Sequence, residues 1–287
     1  MIFRYCGGKN KKSIREKILS KAPLFYSSYR EPFIGGGGIF WQIDTGVERW
    51  INDLDKDLIS VYLALRERPE DFIKKCREIK PAEKNEPLTS SRPGGKEIYN
   101  KRLKEVFDDF LTNPNTDRAL KYFFFNRTNW GGRTDYTRPS RMYFSNPSGW
   151  NIVKKDALEK AAQLLKNVRI TNEDYNCLLE EPGNDVFAYL DPPYLVNTGF
   201  NDGSLLYRHN FTIEDHTRLA QNVQKCPHKV LLSYDDDKDG IIRGLYSGAN
   251  FNIYEEEWTY CGTSSSEEVK NKKKKIGKEL IITNYKR

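Results

Sequence analysis

The chain has 287 residues, 38% of them hydrophobic and 30% charged, with a formal net charge of +7. That size accommodates one large α/β domain or a domain with an insertion, and the composition excludes a disordered chain and any apolar run long enough to span a membrane. The five cysteines (Cys6, Cys76, Cys177, Cys226, Cys261) are scattered, odd in number and never spaced as CxxC, and there are three histidines, so neither a disulfide framework, a metal site nor a Ser-His-Asp triad is expected.

The N-terminal residues Met1-Ile2-Phe3-Arg4-Tyr5 lack the apolar stretch and cleavage site of a signal peptide, so a cytoplasmic protein is expected, in a bacterium or in a host cytoplasm if the source is viral. The first α/β block runs to about residue 65. Ser28-Tyr29-Arg30-Glu31-Pro32-Phe33 reads as a short strand entering a glycine loop, Gly35 to Gly38. Residues 38–43 are expected to open a helix, residues 49–53 to form a second strand, and residues 58–65 carry the apolar spacing of a further helix.

From 66 to 149 the character changes. Residues 80–96 are rich in Pro, Glu, Lys, Ser and Gly and read as a mobile loop, flanked by a helix over 98–111. The run Tyr122-Phe123-Phe124-Phe125-Asn126-Arg127-Thr128-Asn129-Trp130-Gly131-Gly132-Arg133 follows, its two glycines suited to a tight turn between two arms. Between Arg118 and Arg141 stand six basic residues (Arg118, Lys121, Arg127, Arg133, Arg138, Arg141) against one acid, Asp135. Residues 122–125 read as core, whereas Arg127, Trp130, Arg133 and Arg138 read as contacts to a nucleic acid.

The α/β pattern returns at about 150. Strands are expected at 168–171, 186–190, 230–234 and 279–284, a helix starting with a capping box from Thr212 to Asp215, and a short helix over 241–246. Alternating strands and helices give a three-layer α/β sheet over 1–65 and 150–287, interrupted by an inserted domain over 66–149.

Two motifs carry chemistry. In Glu31-Pro32-Phe33-Ile34-Gly35-Gly36-Gly37-Gly38 a glycine-rich turn between strand and helix lets a ligand approach bare backbone, although it is neither GxGxxG nor a GK[ST] phosphate loop. Asp53, 18 residues after Gly35 at the end of the next strand, stands where an acid accepts from ribose hydroxyls; its alternative is a helix N-cap. Asp191-Pro192-Pro193-Tyr194 follows the apolar run 186–190, at the carboxyl end of a buried strand, where open α/β sheets bind ligands. The prolines stiffen the loop and remove two amide donors, leaving carbonyls as acceptors. A carboxylate, a bare carbonyl and a ring suit a flat substrate with an exocyclic amino group.

With these motifs the chain resembles the Dam-type (class alpha, D12) family of DNA adenine-N6 methyltransferases. The resemblance includes Tyr5-Cys6-Gly7-Gly8-Lys9, the glycine loop, Asn52-Asp53, Asn172-Glu173-Asp174-Tyr175, Asp191-Pro192-Pro193-Tyr194, the helix beginning at Phe211 and the late strands Leu231-Leu232-Ser233-Tyr234-Asp235 and Leu280 to Tyr285. It implies a Rossmann-like methyltransferase sheet that uses S-adenosylmethionine, and an inserted, mainly helical target-recognition domain carrying a hairpin. By the same resemblance, Tyr5 and Lys9 line the cofactor pocket, Phe33 with Gly35, Gly36 and Gly37 cradles the methionine end, Asp53 binds the ribose, and Asp174 with Tyr175 flanks the adenine. Asp191, with the Pro192 carbonyl and Pro193 beside it, holds the target amino group while Tyr194 stacks on the flipped base.

Double-stranded DNA is the implied partner of a monomeric enzyme, with Arg4, just before the Tyr5 segment, where the family often has a base-reading cation. The residues after the glycine turn depart from the version in GATC enzymes, so no recognition sequence is implied. Lys272, Lys273 and Lys274, in a lysine run after Thr263-Ser264-Ser265-Ser266, are either a solvated face or phosphate contacts. The alternatives are methylation of RNA adenine or of cytosine N4, and a catalytically silent nucleic-acid-binding module. A protein-glutamine methyltransferase fits less well, since that chemistry usually accompanies Asn at position 191.

Overall fold

The structure, a computed structural model, describes residues 2–4, 9, 11–79, 90–92, 95–98, 101–136, 142–195, 211–237, 239–248, 250–259 and 276–287. The chain forms two compact units. One comprises Lys9–Asp55, Asn167–Gly262 and Lys274–Arg287; the other comprises Met1–Gly8, Lys56–Lys166 and Thr263–Lys273.

The first unit is built on a seven-stranded sheet. Its strands are β1 (Ser28–Glu31), β2 (Glu48–Asn52), β5 (Val168–Thr171), β6 (Val186–Leu190), β7 (Lys229–Asp235), β8 (Asn252–Thr259) and β9 (Ile276–Thr283), in the order β5-β2-β1-β6-β7-β9-β8. The first five run parallel; β9 is antiparallel to β7, and β8 to β9. This is a Rossmann-like sheet. Strand order runs outward in opposite directions from β1 and β6, so the topological switch point lies between those two strands, the position where such sheets bind ligands. The glycine loop leaves β1 and the Asp191 tetrapeptide leaves β6, so both motifs start from that point.

The strand sequences explain the layering. All five residues of β6 are buried, the signature of a parallel strand covered on both faces. On one face Ala188, Leu190, Val230, Leu232, Tyr234, Leu280 and Ile282 pack with Leu219, Ala220 and Val223 of α8 (Ile213–Lys225) and with Leu179 and Ile242. Alternation puts Tyr189, Leu231 and Ser233 on the opposite face. Two expectations differ in detail. After the glycine loop there is a single 3₁₀ turn, Phe40–Gln42, because Ile43 is extended and Asp44 accepts from Gly46 N (2.9 Å) to start a turn. Strand β8 was not read from the sequence, since its three consecutive glutamates hide an edge strand that β9 pairs along its whole length.

The second unit contains α2 (Lys56–Glu67), α3 (Pro69–Glu78), α4 (Lys101–Thr112), α5 (Arg118–Thr128) and α6 (Ala157–Leu165). Within the span read as a loop, β3 (Ser90–Arg92) and β4 (Gly95–Ile98) pair antiparallel. Helix α5 carries the aromatic run: Tyr122, Phe123, Phe124 and Phe125 are all buried, as expected of core, against Phe107, Phe110 and Trp150. Helix α2 packs on α5 and α6, so the unit begins at Lys56, before the start of the insertion read from the sequence.

The capping box of α8 is present: Thr212 Oγ1 accepts from Asp215 N (3.3 Å) and Asp215 Oδ2 accepts from Thr212 N (2.9 Å). Thr212→Ala leaves amides at the helix start without a side-chain acceptor and is expected to lower stability by about 1 kcal/mol in urea unfolding, with an unchanged denaturant slope. A variant as stable as the wild type would show that the cap contributes nothing.

Candidate active site

At the carboxyl end of β1 the glycine loop turns on Gly35 (φ 44°) and Gly37 (φ 69°), conformations that only glycine adopts freely. The loop is tied to the end of β2: Asp53 Oδ2 accepts from Gly35 N (2.9 Å) and Oδ1 from Asp55 N (3.0 Å). Leu54 N is a third backbone donor to this carboxylate, which still keeps acceptor capacity beside bare backbone. Burial pushes the Asp53 carboxyl up to about 6. Glu31, at the end of β1, accepts from Tyr29 Oη (2.5 Å), and burial raises it well above the ordinary carboxylate range. A vicinal pair of hydroxyls fits the Asp53 acceptors, and a chain without Cβ atoms fits close approach of a ligand.

Asp191 follows β6 and, among the described residues, is held on one side. Its Oδ1 accepts from Lys9 Nζ (2.8 Å) and from Ser233 Oγ (2.9 Å), and Ser233 Oγ lies 2.8 Å from Tyr189 Oη. Lys9 also donates to Tyr194 Oη, which in turn donates to Glu279 Oε2 (2.9 Å); Lys9 and Glu279 are 3.7 Å apart. Burial alone would make the Lys9 ammonium more acidic, but Asp191 and Glu279 outweigh it and raise its pKa above the usual lysine value, so Lys9 is a cation. Lys9 is 3% exposed and Asp191 21%, which leaves the carboxylate reachable and its counter-ion enclosed. With two donors on Oδ1, Oδ2 takes no hydrogen bond from the described residues.

Beside the glycine loop Phe33 stacks on Tyr175 (centroids 5.2 Å, 30°), and Phe211 meets Phe33 edge-on at 5.9 Å. Asp174 pairs with Arg218 (3.0 Å), whose guanidinium lies over the Tyr175 ring. Among the described residues no group of His, Cys, Asp and Glu could hold a metal ion.

The residues read as nucleic-acid contacts divide. In the helical unit the Asn126 side chain grips both sides of the chain at Arg4: Oδ1 accepts from Arg4 N (2.8 Å), and Nδ2 donates to Arg4 O (2.6 Å) and Gly132 O (3.2 Å). Gly131 and Gly132 turn the chain at φ 64° and 75°, and the flanks meet through a single antiparallel bridge, Asn129 with Phe144, rather than a ladder among the described residues. A Cβ at Gly132 would lie 2.6 Å from Arg4 O, so glycine is required there for packing as well as for φ. Trp130 is 47% exposed, with the Arg133 guanidinium 4.9 Å from its ring centroid. Arg127 points inward, donating to Gly149 O (3.0 Å) and Ile2 O (3.2 Å), and burial lowers it to about 10. Tyr5, Arg138, Lys272, Lys273 and Lys274 lie outside the described residues.

The sequence reading missed Ser233 and Glu279. The available signal was a hydroxyl inside the apolar strand Leu231-Leu232-Ser233-Tyr234, and a glutamate just before an apolar run, Glu279-Leu280-Ile281-Ile282; the bonds they make depend on sheet register.

The Rossmann-like sheet, with a glycine loop and an Asp-Pro-Pro-Tyr segment at its switch point, is consistent with a methyltransferase fold. The chain belongs to the D12 class N6 adenine-specific DNA methyltransferase family, whose family model matches residues 5–261. It is similar to the Type II methyltransferase M1.LlaDCHI of Lactococcus lactis subsp. cremoris, 25% identical over 98% of this chain and 94% of that protein. It is 27% identical to the Type II methyltransferase M.MjaIII of Methanocaldococcus jannaschii over 90% of this chain and 88% of that one. It is 26% identical to the DNA adenine methylase of Escherichia coli over 78% and 76%. The chain is thus an enzyme of site-specific DNA adenine-N6 methylation. No helix among the described residues is long and apolar enough to cross a membrane.

Arg127→Ala removes the donors to two backbone carbonyls in the helical unit. It is expected to lower stability by about 1–3 kcal/mol, measured by thermal unfolding, whereas Arg133→Ala is expected to leave the midpoint nearly unchanged. Equal midpoints for the two variants would contradict the inward role of Arg127.

Proposed function

We propose that the chain methylates N6 of an adenine flipped out of double-stranded DNA, using S-adenosylmethionine and releasing S-adenosylhomocysteine, as a monomer in the cytoplasm. The observation that carries this reading is the one-sided anchoring of Asp191: among the described residues both donors fall on Oδ1, which leaves Oδ2 for a substrate N–H.

S-adenosylmethionine, when bound, supplies the methyl group on a sulfonium centre. The residues that would hold it are Phe33, Gly35, Gly36 and Gly37 along the bare backbone, Asp53 at the ribose hydroxyls, and Asp174 and Tyr175 near the adenine. Tyr5 is carried as a pocket residue by resemblance. Lys9 we assign to the catalytic tetrapeptide as counter-ion of Asp191, in addition to bordering the pocket. The fit rests on the acceptor capacity left on Asp53, the absence of Cβ atoms on the loop and the Phe33–Tyr175 ring pair.

Adenine N6 is a poor nucleophile because its lone pair is delocalised into the ring. Asp191 Oδ2 and the Pro192 carbonyl accept hydrogen bonds from its two N–H groups and favour a more tetrahedral nitrogen, which localises the lone pair. Pro192 and Pro193 keep this loop stiff, and the Tyr194 ring stacks on the base. Orientation and electrostatics supply the acceleration, and no covalent nucleophile is required. The base must leave the helix, since N6 inside a duplex is out of reach.

Residues 66–149 are assigned to target recognition. Arg4, Trp130 and Arg133 are proposed to meet DNA around the glycine turn, supported by the Trp130 exposure and by the Asn126 clamp on Arg4. Arg138 and Lys272 to Lys274 remain proposed DNA contacts. Arg127 is assigned to holding the N-terminal segment.

Asp191→Ala is expected to fold and to lose at least roughly 100-fold in methyl incorporation into unmethylated DNA, as when a stabilising group at a reacting centre is removed. Wild-type turnover by the soluble variant would overturn the catalytic assignment. For Asp53 the sign follows from its elevated value, near 6: the carboxylate that accepts from ribose hydroxyls is present above that pH and lost below it. S-adenosylmethionine affinity, read by calorimetry, is therefore expected to fall as pH drops from 7.5 to 5. Asp53→Asn is expected to bind about 10-fold or more weakly at pH 7.5, with a flat pH dependence. A wild type whose affinity does not change across that range would refute the ribose role.

A further inference from the structure

We propose that Ser233, backed by Tyr189, is a positioning residue for methyl transfer: it fixes the Asp191 carboxylate so that Oδ2 meets the substrate amino group. The inference rests on the reading of Asp191 as the amino-group acceptor. The register of β6 with β7 pairs Tyr189 with Leu231 and Leu190 with Leu232, so one further step brings Asp191 beside Ser233. Side-chain alternation then turns Tyr189, Asp191 and Ser233 to one face.

The direction of the hydrogen bonds follows from counting protons. A carboxylate only accepts, so the single Ser233 proton goes to Asp191 Oδ1 at 2.9 Å. Ser233 Oγ must then accept at its contact with Tyr189 Oη, 2.8 Å away, and Tyr189 is the donor. Burial, with Asp191 nearby, holds Tyr189 well above the ordinary phenol range, so it keeps that proton. The chain Tyr189 to Ser233 to Asp191 therefore has one polarity.

Lys9 reaches the same oxygen at 2.8 Å from another direction. Two donors from two directions fix the rotation of the carboxylate, which a single flexible lysine would not. Ser233 is fully buried in a strand paired on both sides, so its hydroxyl has little freedom to move. Its effect on the reaction is through Asp191.

The test is steady-state methylation of unmethylated genomic DNA by the full-length protein. Ser233→Ala is expected to lower kcat about 10- to 100-fold, with KM for DNA and Kd for S-adenosylmethionine changed less than about twofold. Ser233→Cys, a weak donor of similar size, is expected to recover part of that loss. Tyr189→Phe, which keeps the ring and removes only the hydroxyl, is expected to lower kcat about three- to tenfold. In an Asp191→Ala background Ser233→Ala is expected to add no further loss, because the two act as a unit.

A wild-type kcat for Ser233→Ala, or a parallel loss of kcat and cofactor binding, would overturn the proposal. If Ser233→Ala does not fold, wild-type kcat in both Tyr189→Phe and Ser233→Cys overturns it instead. An active Asp191→Ala variant signals failure of the catalytic reading itself. An inactive one beside a fully active Ser233→Ala signals failure of the positioning role alone.

Discussion

The site is organised around a buried ammonium. Taking Lys9 out of water is unfavourable by several kcal/mol unless carboxylates surround it, and here Asp191 and Glu279 do so, with the Tyr194 hydroxyl as a further partner. The same geometry fixes three side chains. The Asp191 carboxylate is held in one orientation, Tyr194 is tied at its hydroxyl end, and Glu279 is compensated deep in the sheet. Removing the cation would leave two acids close together in a poorly solvated place, which is why a residue from the start of the chain matters to a tetrapeptide far along it.

The sheet provides the frame for that cluster. Because β1 and β6 are neighbours and the strand order diverges from them, the glycine loop and the acidic tetrapeptide emerge side by side. Parallel strands buried on both faces are rigid supports. Glu31 is the last residue of β1, and Asp53 follows β2 and Asp191 follows β6 directly. The Asp53 bond to Gly35 N then links the first two of these ends, so that the loop and its acid are set by each other.

In the helical unit the same principle works with backbone carbonyls. Asn126 and Arg127 lie on the last turn of α5, where a purely apolar helix would stop contributing. Their side chains reach Arg4, Ile2, Gly132 and Gly149 and hold the glycine turn against the N-terminal segment. The exposed Trp130 and its Arg133 partner therefore stand on a braced turn. A desolvated arginine bonded to carbonyls is a structural element, whatever its charge suggests.

Much of this was legible without coordinates, and the reason is local. The all-apolar run 186–190 suits a buried strand, the Thr212 to Asp215 box suits a helix start, and Asp-Pro-Pro-Tyr comes directly after that strand. The sheet strands, the helix start and the strand-end placement of the tetrapeptide, the glycine loop and Asp53 follow from such short-range constraints. What the tertiary structure alone decided are pairings between distant residues: Lys9 with Asp191 and Tyr194, Ser233 with Asp191, Glu279 with Tyr194, and the inward turn of Arg127. A charged or hydroxyl side chain looks the same in the sequence whether it faces solvent, substrate or a buried partner. The choice is made by strand register and by which carbonyls or carboxylates arrive next to it, and those are properties of the folded chain.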